Sequence, residues 1–501
     1  MSRINTNVSS LISQRVLGQK NQGLSTSLER LSTGLRINRG ADDPSGLIAS
    51  EALRSEIRSI DAAIGNAERA DQVMNIAEGG LQEVNSLLLE LQSLVGQSAN
   101  DAGLSPDERE ANQLEIDSIL QTIDRISQTT SFQGTKLLNG TFDFTLSGQN
   151  TNVNEVKVNG AKLDFGDQRD VQVIVTQSAQ RAGLFLSLGA TNVDLTDAES
   201  AFTFDVAGTA GSRQFTFASG TSLDNVAISI NTFKDVTGVS AAVSGTGVVL
   251  KSLNYGTDEF VSVDITDAGG QAGEIMTLSS NNENQASTVA ANRTTYAAAN
   301  VPIRDLGQDV EATINGVEAT TKGRDVRVAT DFLDVEIELD GTGATTLGGF
   351  QAVTITGGGA QFNLGPNVDI LNQVSIGIGN VAARNLGSTG NGYLSSLAAG
   401  QENNVVDGDL GQAQKIVNDS IAQVSTLRGR IGAFQKNTVG ATIRSLGVAL
   451  ENTSAAESAI RDTDFAKETA DLTRNQILVQ ASTNILGIAN SRPQDVLGLL
   501  G

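Results

Sequence analysis

The sequence predicts an α+β multidomain protein. Long helices at the N and C termini pair in a coiled coil or helical bundle, and a mainly β domain is inserted between them. Apolar residues recur at three- and four-residue steps before about residue 130 and after about residue 400. Between those blocks the chain becomes Gly- and Thr-rich and alternates apolar with polar positions, the period of half-buried strands. Aromatic usage divides at the same place, since no Phe, Tyr or Trp precedes Phe132 and 14 of the 16 Phe lie from Phe132 to Phe362.

Ile4, Val8 and Leu11, followed by Leu24, Leu28, Leu31 and Leu35, predict a first helix with a seam for a partner helix. A coiled-coil strand and a helix of an ordinary bundle share this periodicity. The other faces carry Asn, Gln, Ser and Thr rather than Glu and Lys pairs, so the helix is weak alone and folds when it packs. Residues Leu31 to Ser50 read LSTGLRINRGADDPSGLIAS. Gly34 and Gly40 loosen the helix there, and Asp43-Pro44 supplies a cap and a first-turn proline for a fresh one. Asp42 and Asp43 are accordingly read as capping carboxylates rather than as a catalytic or metal pair.

The second helix carries Leu53, Ile57, Ile60 and Ile64, then Ala77, Leu81, Val84, Leu88, Leu91 and Val95, with one phase slip near Ala67 to Ala70. It ends near Asn100, and at about 1.5 Å per residue it spans roughly 75 Å. Ser105-Pro106-Asp107-Glu108 opens a third helix with a capping box, whose buried face is predicted at Leu114, Ile116, Leu120, Ile123 and Ile126.

In the middle segment Phe202, Phe204 and Val206 alternate with polar neighbours, as do Val261, Val263 and Ile265. Asn159-Gly160 and Asn315-Gly316 predict two hairpins, the second set between the matched runs VEATI and VEATT. Gly357-Gly358-Gly359 reads as a flexible turn, and no glycine-rich phosphate loop precedes a helix. Helical periodicity returns at Val417, Ile421, Val424, Ile431 and Phe434, and again at Leu472, Ile477, Leu478, Ala481, Ile485 and Ile488 before Pro493. Both ends therefore need helical partners, and pairing them with each other in an antiparallel bundle is the simplest solution. The apolar tail Val496 to Leu500 reads either as frayed or as buried against neighbouring subunits.

A formal charge of −23 argues against nucleic acid and anionic membranes as partners. Zero Cys and zero His remove disulfides, thiolate nucleophiles, the usual zinc cages and the commonest general base. No catalytic, cofactor-binding or metal site is predicted, and no cofactor. Met1 to Lys20 has no unbroken apolar stretch of the secretory kind, and nowhere do 18 apolar residues run together, so no membrane insertion is expected.

Three stretches carry a resemblance that covers both terminal blocks: LSTGLRINRGADDPSGLIAS, SFQGTKLLNG at Ser131 to Gly140, and the tail from DFAKETADLTRNQILVQASTNILGIAN to VLGLLG. Together they resemble bacterial flagellin. The opening MSRINTNVSSL looks like the start of that family, and Ser222 to Val243 is similar to a small module of flagellins and hook-associated proteins. The resemblance implies a non-enzymatic structural subunit of the flagellar filament, used for swimming. Subunits stack into a hollow helical homopolymer outside the cell, exported without a cleavable signal peptide. A hook-filament junction protein with related terminal helices is the alternative.

The implied domains are 1–43 with 455–501 as a coiled coil lining the filament core, 44–140 with 361–454 as a helical inner domain with a small β element, and 141–360 as a variable, mainly β outer domain. The implied partners are other copies of the chain, the flagellar export apparatus, an export chaperone, the filament cap and hook-associated proteins. The absence of Cys and the presence of five Pro suit a chain exported unfolded. The filament-assembly packing positions are Leu24, Leu28, Leu31 and Leu35 at one end and Leu478, Ile485 and Ile488 at the other.

Some flagellins are sensed by a vertebrate Toll-like receptor through the helix that aligns with Leu88 to Gln97. The implied receptor-facing positions are Glu90, Leu94 and Glu115. Stimulating members carry an Arg where Glu90 stands, so the charge is reversed here; as a plain solvated position, Glu90 carries no such meaning. The zinc-protease site of some flagellins needs two His, which this chain lacks. No carboxylate pair stands out for glycoside hydrolysis. Asn139-Gly140-Thr141 and Asn292-Arg293-Thr294 fit the short acceptor pattern for N-linked sugar.

Overall fold

The computed structural model describes residues 6–498 apart from 101–102, 164–166, 197–200, 280–281, 288 and 290–291. The helices are α1 (Val8–Thr33), α2 (Pro44–Ser98), α3 (Pro106–Thr129), α4 (Leu223–Thr232), α5 (Lys234–Thr237), α6 (Gly341–Thr345), α7 (Leu410–Ala433), α8 (Gly440–Arg461) and α9 (Phe465–Gly498). A π-helical turn, Phe434–Val439, connects α7 to α8. The chain divides into two compact units, one made of Met1–Gln72, Phe362–Gln373 and Gly432–Gly501, the other of Val73–Gln361 and Val374–Ile431.

In the first unit α1 and α9 run antiparallel. Asn7 Nδ2 donates to the Ala489 carbonyl at 2.6 Å, Ser10 Oγ lies 2.7 Å from Asn490 Oδ1, and at the other end Arg30 lies 3.7 Å from Glu468. The seam between them is built from small and polar side chains, with Ser10, Ser13, Ser27, Ser482 and Ala489 buried. Ser13 Oγ donates to the Ser9 carbonyl at 2.9 Å, so its hydroxyl is satisfied within its own helix. The terminal helices pair as expected, but Val8 and Leu11 of the predicted seam are exposed. Ile4 lies outside the described residues. Gly34, left-handed at φ 75°, ends α1 and donates to the Arg30 carbonyl at 2.9 Å. Helix α9 continues through Pro493 to Gly498 instead of stopping before the proline; Leu499 and Leu500 of the tail lie outside the described residues. In the same unit Ile60 and Ala63 of α2 pack with Leu446 of α8.

In the second unit Ala77, Leu81, Val84, Leu88, Leu91 and Val95 are all buried, as their spacing predicts. Helix α3 opens on the predicted capping box, with Ser105 N donating to Glu108 Oε2 at 2.7 Å and Glu108 N to Ser105 Oγ at 3.3 Å. Its buried face comprises Ile116, Ile119, Leu120 and Ile123. Leu114, expected among them, is exposed, because the stripe turns through Ile119 and leaves Leu114 on the opposite side. Arg428 of α7 pairs with Glu78 of α2 at 2.8 Å. The motif SFQGTK forms a small hairpin, Ser131 opposite Lys136, with Gln133 and Gly134 at φ 48° and 86°.

The β region of this unit has two lobes, each with its own core, and every strand pair named here is antiparallel. In one, Arg169–Gln177 lies between Glu311–Ile314 and Gly348–Gly358, and a second sheet sets Leu333–Leu339 between Val153–Ala161 and Asp325–Ala329. In the other, Gly183–Ser187 lies between Gly247–Ser252 and Glu274–Ser279, and Phe202–Gly208 between Ser212–Phe217 and Phe260–Asp267. Both stretches are strands, as the alternation predicts, and they pair with Val206 opposite Val263 and Phe204 opposite Ile265. Helix α4, capped by Ser222, buries Val226, Ala227 and Ile230 in that core. Gln180 and Gln308 exchange backbone hydrogen bonds of 2.8 and 2.9 Å.

Asn315-Gly316 is the predicted hairpin turn, at φ 50° and 80°. Asn159-Gly160 is not a turn. It lies inside Val153–Ala161, where the register against Leu333–Leu339 shifts, and Asn159 Nδ2 donates to Asp334 Oδ1 at 3.2 Å. Gly357 and Gly358 belong to a paired strand, and a Cβ on Gly358 would lie 2.3 Å from the Asp143 carbonyl oxygen, so closeness of backbone rather than flexibility explains that glycine.

Candidate assembly surface

The paired terminal helices leave several of their larger apolar side chains exposed. Leu24, Leu31, Leu35 and Leu478 are half-buried. Leu28, Ile485 and Ile488 are 51%, 56% and 63% exposed, and Val8, Leu11, Ile12 and Ile477 are exposed beside them in sequence. A seam of Ser and Ala lets two helices approach closely but buries little apolar area. The residues whose burial would stabilise these helices most are therefore the ones facing out. This seam carries no apolar period in the sequence; its one signal is the seven-residue step from Ser482 to Ala489.

The segment LSTGLRINRGADDPSGLIAS is tied to the start of α9 and its approach. Arg36 N donates to the Arg461 carbonyl at 2.7 Å, Thr463 N to the Gly34 carbonyl at 2.9 Å, and the Arg36 guanidinium reaches the Ile460 carbonyl. Arg39 forks over Glu29 at 2.7 and 2.8 Å. Arg461 meets Glu51 at 2.8 Å, and Arg461 together with Arg54 holds that carboxyl below its ordinary range. Asp42 accepts from the Arg39 and Asn38 amides at 2.9 and 3.1 Å, and Asp43 from the Gly46 amide at 2.9 Å. Those hydrogen bonds lower both carboxyls, the chemistry of caps. A Cβ on Gly46 would lie 2.4 Å from Asp43 Oδ2 and 2.7 Å from Ile37 Cδ1, so the cap, the buried Ile37 and the glycine form one tight turn.

Glu90 of α2 and Glu115 of α3, two of the three positions expected to face a receptor, are exposed. Leu94 is not a surface residue. It is 6% exposed, on the stripe of α2 that also buries Leu91 and Val95, and the exposed leucines nearby in sequence are Leu89 and Leu114. Among the described residues no group of three or more His, Cys, Asp or Glu could hold a metal ion, and no helix is long and apolar enough to cross a membrane.

The exposed apolar side chains of the terminal helices mark an interaction surface. The N-terminal helical region of bacterial flagellin matches residues 4–143, and its C-terminal helical region matches residues 414–500. Over 99% of both chains the sequence is 31% identical to the B-type flagellin of Pseudomonas aeruginosa, 30% identical to the flagellin of Salmonella muenchen, and 28% identical to flagellin D of Vibrio anguillarum. The chain belongs to the bacterial flagellin family, whose members are structural subunits of the flagellar filament, the organelle of swimming motility. The relatives match along the whole chain and carry flagellin names, which favours the filament subunit over a hook-associated protein.

Proposed function

We propose that this chain polymerises with copies of itself, through its terminal helices, into a hollow helical filament outside the cell. One observation carries the reading: Leu28, Ile485 and Ile488 are exposed on helices whose internal seam is made of Ser and Ala. A head-to-tail contact that does not close generates a filament, and joining it is how such helices gain apolar partners. Leu24, Leu28, Leu31, Leu35, Leu478, Ile485 and Ile488 are the packing positions. Residues 1–43 with 455–501 line the core, 44–140 with 361–454 surround it, and 141–360 face outward.

The role is architectural, without turnover of a substrate. Export of the unfolded chain through the flagellar apparatus, with its chaperone, cap and hook-associated proteins, accords with zero Cys and five Pro. Glu90 and Glu115 are the polar positions a receptor would meet on this part of the chain, and the negative charge of Glu90 counts against activation. The test is Ile485→Asp. A buried, unpaired carboxylate costs several kcal/mol, so the variant is expected to stay a soluble, folded monomer that grows no filaments where the unmodified protein does. Normal filaments from the variant would overturn the proposal.

A further inference from the structure

Between Phe362 and Gln373 the chain forms a loop of the first unit, outside its helices. Its tip carries Val368 and Leu371, 86% and 77% exposed, the most exposed large apolar side chains among the described residues. The loop is built rather than slack. Leu364 is buried and its amide donates to the Asn372 carbonyl at 3.0 Å, closing the base. Asn372 returns the contact to Asp369, its amide donating to Oδ1 at 2.8 Å and its Nδ2 to Oδ2 at 3.0 Å. Pro366 restricts the backbone, and the Phe362 ring lies 6.2 Å from that of Phe434, in the π-helical turn of the same unit.

A preorganised loop loses little conformational freedom on docking. The one carboxylate near the tip, Asp369, is occupied by Asn372, so the apolar pair can be buried without stripping water from a free charge.

We propose that the Gly365–Asn372 loop is an assembly contact that seats Val368 and Leu371 on a neighbouring copy of this chain, a reading that rests on the filament role. The occupant follows from the small area of the patch together with the filament role. Two aliphatic side chains fall far short of the roughly 1,200 Å² that a stable interface buries, so the contact holds only against a partner already bound elsewhere. A copy docked through the terminal helices is such a partner. Seated on a patch other than the same loop, the contact is heterologous and extends a polymer without closing it.

The test uses the full chain with Val368→Ser and Leu371→Ser together. Both sites are exposed, so the circular dichroism and melting of the monomer should not change. The critical concentration for filament growth should rise roughly tenfold or more. A photo-crosslinking residue at position 368 should give chain-to-chain adducts in filaments and none in monomer. Equal critical concentrations, or no adduct between chains in filaments, would overturn the loop contact while leaving the filament role intact. Failure of the unmodified protein to polymerise would instead remove the filament reading and this contact with it.

Discussion

The β lobe around Phe202 and Phe204 and the helix pair α1–α9 use apolar residues in opposite ways. In the lobe, both phenylalanines are almost wholly buried, 5.0 Å apart between ring centroids, with Tyr296 and Val263 in the same core. In the helix pair, serines are inside and isoleucines outside. The lobe buries its aromatic core, whereas α1 and α9 leave Val8, Leu11, Ile12, Leu28, Ile477, Ile485 and Ile488 exposed. On the proposed filament role, the lobe is the part that needs no partner and the helix pair the part whose stability a neighbouring copy completes.

The largest effect should come from emptying the lobe. Phe204→Ala is expected to cost about 3–5 kcal/mol in urea unfolding of the full chain, a buried aromatic leaving a cavity. A loss under about 1 kcal/mol would mean the lobe is not the self-sufficient part. Next comes Ser482→Leu, which overfills the close seam between α1 and α9. It should destabilise that pair by about 1–3 kcal/mol, read as faster amide exchange in residues 8–33, while the lobe keeps its melting. Ile488→Asp should change monomer stability by no more than about 0.5 kcal/mol, since the site is already solvated, yet prevent filament growth. A large loss of monomer stability would show that Ile488 is buried within the single chain, erasing the contrast.

The smallest effect concerns acid. Asp42 and Asp43 lie below their ordinary value of 3.8, through hydrogen bonds from the Arg39 amide and the Gly46 amide respectively. A lowered folded value contributes stability above 3.8 that is lost as pH falls through the folded value. The turn between α1 and α2 should therefore hold at about pH 5 and open below the ordinary value, read from exchange of the Arg39 and Gly46 amides. Loss of those amides at neutral pH would contradict the capping role.

The terminal helices, the second-helix stripe and the capping box at Ser105 were legible because each is a local pattern with a local cause. What was not legible depends on partners distant in sequence. Asn315-Gly316 and Asn159-Gly160 are the same dipeptide, but the first turns between short matched strands while the second is held in a strand by Asp334, across 175 residues. Leu114 fits a helical stripe as well as Ile119 does, and only packing against the rest of the unit decides between them. On α1 and α9 the period correctly marked long helices, yet it cannot say whether an apolar face meets the same chain or another. The Ser and Ala seam went unseen because burial by close approach leaves no apolar signature. The loop at Val368 has no period at all.

Hydrogen exchange of monomer and filament, followed by mass spectrometry, tests the central claim most directly. The account predicts that residues 8–33 and 465–498 exchange rapidly in monomer and become protected in filaments, while the strands carrying Phe202, Phe204 and Val263 are protected in both. Equal and strong protection of the terminal helices in monomer would contradict it, because the helices would then already have all the partners they need.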